Sequence, residues 1–140
     1  MVIVHSLAMA RRAVAAARQI GRPVVLLSAS GAGSYAGVGW WRNLVARAAE
    51  PGECADILDC GAAPGRALEA LRAGQKNLVL EAEARVWTDI ADRARSCGGV
   101  LLPCPPPALD LAPWDVSNTA ERRLADWLRG DSPARHPKAS

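Results

Sequence analysis

Short apolar runs alternate with longer stretches in which apolar residues recur every three or four positions, and this alternation repeats along the first hundred residues. Val2 to Val4 is such a run, followed by Ser6 as a helix cap. From Leu7, the positions Ala10, Val14 and Ala17 recur at helical spacing, while Arg11, Arg12 and Arg18 are placed to reach water. Gly21 ends that helix. VVLLS, residues 24–28, is then an uninterrupted apolar run of the kind found in a parallel sheet buried on both faces.

The unit recurs. SASGAGSYAG is a glycine-rich loop, GWWRNLVARAA a helix, and Ala55 to Asp59 a strand. APG opens a helix from Arg66 to Ala73, Gly74 closes it, and Asn77 to Leu80 is the next strand. A further helix covers Arg85 to Cys97, with Val86, Ile90 and Ala94 along one side, and Val100 to Leu102 is the last short run. The segment PCPPPALDLAP, residues 103–113, is too rich in prolines that lack a donor to form regular structure. It is expected to cross the domain in extended form before a last helix from Thr119 to Arg129, with Leu124 and Leu128 inward.

Strands alternating with helices imply parallel pairing through right-handed crossovers. The expected fold is therefore a compact three-layer α/β domain of βα repeats, with a mostly parallel sheet of four or five strands and helices on both faces. Residues 1–130 make the single domain, and 131–140 a loose tail. The rival is part of a barrel of βα units. A full barrel needs about 250 residues, so a half-barrel would have to pair with a second copy.

Composition sharpens this only slightly. Half of the residues are apolar and 22% are charged, as in a globular chain. Seventeen basic residues against fourteen acidic ones leave +3, too small an excess to imply a nucleic-acid partner by itself. No apolar stretch is long enough to span a membrane, and no basic segment precedes the first apolar run, so a cytoplasmic protein is expected. Cys54, Cys60, Cys97 and Cys104 form no CxxC pair, which points to buried free thiols rather than a metal site.

Candidate chemistry follows from the rule that ligands of parallel α/β folds sit beyond the C-terminal strand ends. His5 and Asp59 stand there as proton-transfer groups, or else as a packed side chain and a turn-capping carboxylate. Cys60 is a weaker nucleophile candidate. Ser30, Gly31 and Gly33 belong to a loop whose N–H groups could hold a small anion, although it lacks the lysine and hydroxyl of a nucleotide-binding P-loop. The same glycines also suit turns and close packing.

ILDCGAAPGRALE, from Ile57, resembles the first motif of the S-adenosylmethionine-dependent methyltransferases, in which a strand ending in Asp or Glu enters a glycine turn beneath the methionine part of the cofactor. Asp59, Gly61, Ala62, Ala63, Pro64 and Gly65 carry the match, close to the DxGAAPG form of the RNA 2′-O-methyltransferase branch. The resemblance implies S-adenosylmethionine as cofactor, Gly61 and Gly65 beside it, and Glu81 at the end of the next strand binding the ribose hydroxyls. Gly65 would equally let a helix pack close to its strand. Five tryptophans and no phenylalanine complete the picture. Trp40 and Trp41 are about 100 degrees apart on one helix, so one is expected to cover the sheet and the other to reach a helix, a second copy or a ligand; a homodimer is the expectation, with all tryptophans satisfied within the monomer as the alternative.

Overall fold

The computed structural model of the protein describes residues 1–112 and 118–130. Every predicted strand and helix forms, in the order β1 (Val2–Val4), α1 (Leu7–Ile20), β2 (Val25–Ser28), α2 (Ala32–Tyr35), α3 (Val38–Ala48), β3 (Ala55–Asp59), α4 (Pro64–Arg72), β4 (Asn77–Val79), α5 (Ala84–Ser96), β5 (Val100–Leu102), β6 (Leu109–Asp110) and α6 (Asn118–Arg129). Local chemistry sets these ends. Ser6 Oγ accepts the Met9 N–H at 3.2 Å at the start of α1, and Pro64, which has no N–H to leave unpaired, opens α4. Two elements were not anticipated: the turn of helix α2 inside the glycine-rich loop, and β6 inside the proline-rich segment.

All six strands are parallel and lie in the order β5-β4-β3-β2-β1-β6. The compact parallel α/β domain expected from the pattern is therefore present, with six strands among the described residues rather than four or five. The expectation of helices on both faces is corrected. From β1 to β5 the chain steps in a single direction, and right-handed crossovers that all step one way put every helix on the same face. The packing shows this. Val2, Val4, Leu26, Leu58, Leu78, Leu80 and Leu101 share one core with α1, α3, α4, α5 and α6. The alternate strand residues Ile3, Val25, Leu27, Ile57, Val79 and Leu102 form a second cluster, with Met1 and Ala108 and no helical residue among those described.

The third layer is the proline-rich strap. The chain leaves the sheet at Leu102 on one edge and re-enters at Leu109 on the other. Five inter-strand gaps are about 24 Å, and the connection reaches about 25 Å when fully extended. Bends at Pro103, Cys104 and Pro107 keep the strap short of full extension, so the twist of the sheet must bring its edges closer than in a flat one, and little slack remains. Its two ends, Leu102 and Ala108, pack in the helix-free cluster. Prolines suit the task because their fixed φ lowers the entropic cost of ordering the connection, even where it bends at Pro103 and Pro107.

Within the helical layer, Ala10, Ala13 and Ala17 bring α1 close to the sheet between α3 and α6. Trp41 is 0% exposed and donates its indole N–H to Asp56 Oδ2 at 2.8 Å, which lets the largest core side chain be buried without an orphaned donor. Gln75, 3% exposed, donates to the same oxygen at 2.8 Å. No helix among the described residues is long and apolar enough to cross a membrane.

Candidate functional site

The C-terminal rim of the sheet collects the loops after β1, β2, β3, β4 and β5. At its centre is Asp59, the last residue of β3, only 3% exposed. Its Oδ1 accepts the Gly61 N–H at 2.7 Å and the Gly31 N–H at 3.2 Å, tying the turn after β3 to the turn after β2. Its own N–H donates to Ser28 Oγ at 2.9 Å, and that hydroxyl donates to Ala29 O at 3.0 Å. Ser34 Oγ adds a bond to Cys60 O at 3.2 Å. Asp59 therefore acts here as a turn-capping carboxylate joining two loops, the second of its sequence readings.

The same contacts account for the glycines. Gly31 N–H, a proposed anion donor, already serves the protein's own carboxylate. A Cβ on Gly33 would lie 2.9 Å from Cys60 Sγ and 3.2 Å from Asp59 O, so the loop sits against β3 only because no side chain intervenes. Gly61 adopts φ +57, which favours glycine. Ser30 is exposed beside this hub.

Cys60 is fully buried, and burial, followed by the nearby Asp59 charge, pushes its thiol up to about 12. A thiol so far from ionising is a poor nucleophile. Burial also raises the thiol of Cys54, ahead of the charges of Asp56 and Glu53. The expectation of buried thiols needs correction at Cys97 and Cys104, which are exposed because they fall just past α5 and β5.

His5, beyond β1, pairs through Nε2 with Asp110 Oδ1 at 2.8 Å, and that oxygen also accepts the Ala112 N–H at 2.9 Å. The sequence carried no sign of this partner, since β6 was not anticipated. His5 and Asp59 do not share a site: β2 separates their strands, a spacing of about 10 Å.

Gly61 and Glu81 do come together. β3 pairs with β4, and the ladder continues past the strand ends: Cys60 N donates to Val79 O at 2.9 Å, and Glu81 N to Gly61 O at 2.8 Å. Gly65 lies in the first turn of α4, with open space where a Cβ would be, and α4 starts without a side-chain cap. Beside Glu81 a shallow cleft of about 280 Å³ is lined by Leu80, Ala82, Ala84, Trp87, Thr88 and Pro103. The Trp87 indole N–H is buried and has no hydrogen-bond partner. Sequence reading missed Trp87 and Thr88 as site residues. Their one signal was position, in the first turns of the helix following Glu81.

Of the tandem pair, Trp41 belongs to the core, and Trp40 is half-buried against that core with the two ring centroids 6.0 Å apart. Trp114 and residues 131–140 lie outside the described residues. Among the described residues no cluster of three or more metal-ligating side chains occurs. Against known proteins, the chain matches no family model, and no curated protein aligns with it significantly.

Proposed function

We propose that the domain binds a small nucleoside-type molecule where β3, β4 and β5 end. The observation that carries this reading is the placement of Glu81 against the glycine turn at Gly61, next to a cleft walled by Trp87. A carboxylate can accept from both hydroxyls of a ribose. A half-buried indole with small apolar neighbours suits a flat heterocycle, and at the start of α4, where Pro64 has no N–H and Arg66 N donates to Ala63 O, the Gly65 N–H is left for a polar tail. This arrangement favours the ligand implied by the methyltransferase resemblance, S-adenosylmethionine, over a free anion in the loop at Ser30, Gly31 and Gly33, where Asp59 already occupies the Gly31 donor. Methyl transfer to an acceptor is a further step, and no side chain of the rim is assigned to it.

Calorimetry with S-adenosylmethionine, S-adenosylhomocysteine and adenosine tests the reading. Saturable binding of at least one is expected, weakened about tenfold or more in Glu81→Ala, the scale of a lost charge-assisted hydrogen-bond pair, while the thermal midpoint stays unchanged because Glu81 is exposed. No heat at millimolar ligand, or equal binding by the variant, would overturn it.

A further inference from the structure

The near-neutral total charge hides a strong separation. Among the described residues, thirteen of fourteen arginines lie on helices together with only five carboxylates, a balance of +8, whereas the other described residues carry seven carboxylates against Arg22 and Lys76. Because every packed helix lies on one face of the sheet, that charge falls on one side of the molecule. It is densest on the neighbouring helices α1 and α3, which carry Arg11, Arg12, Arg18, Arg42 and Arg47 and no carboxylate at all. All five are exposed. Between the two helices runs an open groove of about 420 Å³, with Arg11, Arg18 and Arg47 along a floor of alanines.

Two acidic residues adjoin this surface from the loop between α3 and β3. Glu53 is held by Arg18, through Nε and through Nη2 at 2.7 Å, and also accepts the Glu50 N–H at 2.7 Å; Glu50 itself sits at the end of the groove. Even with both counted, and Arg22 added, the α1–α3 surface keeps a balance of +4.

We infer that this face docks the phosphodiester backbone of duplex nucleic acid. Guanidinium groups suit phosphate oxygens through paired N–H donors. Arg18 is engaged by Glu53, so the groove offers phosphate chiefly Arg11 and Arg47, joined by Arg11 Nε donating to Arg47 O at 3.4 Å. Base stacking, on which single-strand binding relies, has no platform on α1 and α3: among the described residues the exposed large apolar ones are Tyr35 and Val100, on α2 and β5, and Trp40 packs on its own core. The same lack of outward apolar side chains on α1 and α3 argues against insertion into a lipid surface.

Fluorescence anisotropy with a labelled 20-base-pair duplex of mixed sequence, at about 50 mM salt, tests the inference. Binding in the micromolar range is expected, tenfold or more weaker for Arg11→Glu with Arg47→Glu, with the slope of log K against log salt reduced by about two. Arg93→Glu with Arg95→Glu, an equal charge change on α5 two helices away, should alter affinity less than threefold. Circular dichroism checks folding, and Arg11→Gln with Arg47→Gln serves as the milder variant. Absence of binding at 100 µM protein, an equal loss from the α5 pair, tighter binding of the single strand, or preferential capture by phosphatidylserine vesicles would each overturn the proposal.

Discussion

Asp59, Gly33 and Cys60 show how one buried carboxylate organises a rim. The Asp59 oxygen that a ligand-binding loop would offer to substrate is spent on two backbone N–H groups. Gly33 keeps its loop near enough for this, and the close approach seals Cys60 beneath it. The thiols should therefore react in a fixed order. With iodoacetamide at pH 8, Cys97 and Cys104 are expected to modify first, Cys54 slowly, and Cys60 only after unfolding, since its thiol is both inaccessible and pushed up to about 12. Peptide mapping over time checks this, and early label on Cys60 in the folded protein would show that the two loops part readily.

At the scale of elements, α1 illustrates how local signals and tertiary contacts divide the work. Its start is set by the Ser6 cap and its end by Gly21 in the left-handed region, both local. Its last turn is fastened to the loop before β3 by Arg18 and Glu53, residues 35 apart in sequence. Hydrogen bonding to Arg18, then to the Glu50 N–H, lowers the Glu53 carboxyl from 4.5 to about 2. A lowered carboxyl stabilises the fold above its unfolded value and loses that contribution as pH falls through the folded one. Urea titrations should thus show wild type and Arg18→Gln converging near pH 2 and separating as pH rises to about 4.5, with a constant gap above. Both groups meet solvent, so the gap is small and narrows in salt. Curves that stay parallel down to pH 2 would remove the pair from the account.

For the whole molecule, the decisive feature is that five strands step one way. Such a sheet has helices on one face and no point within those five strands where the winding reverses; the strand order reverses only between β1 and β6, where His5 meets Asp110. The rim of strand ends collects the loops, as it does in barrels of βα units. The second face depends on the strap. Deleting Pro105 leaves the connection shorter than the sheet is wide, so β6 should detach from β1, while inserting two glycines at the same place should be tolerated. Hydrogen exchange reads this directly at the amides of Leu109 and Leu111, which donate to Met1 O and Ile3 O. Fast exchange in the deletion alone is expected; protection retained in both would mean that the strap is not taut.

The sequence by itself determined the elements, because strand and helix identity rest on periods of two and 3.6 and on caps a few residues away. Ser6, Gly21, Pro64 and the runs ending at Ser28, Asp59 and Leu102 were all legible for that reason. It also placed His5, Asp59, Gly61 and Glu81 at strand ends, since alternation of strands and helices implies parallel pairing. Tertiary structure alone decided the rest. The order of the strands depends on long-range pairing energies that no local pattern encodes, and it set which face the helices cover, that Glu81 lies against Gly61, and that His5 stands apart from Asp59. β6 was invisible because two residues among prolines have no period to read; it exists only because β1 offers an open edge. The arginine-rich face was hidden for the same reason: charge is counted along a chain, but it acts on whatever surface the fold assembles.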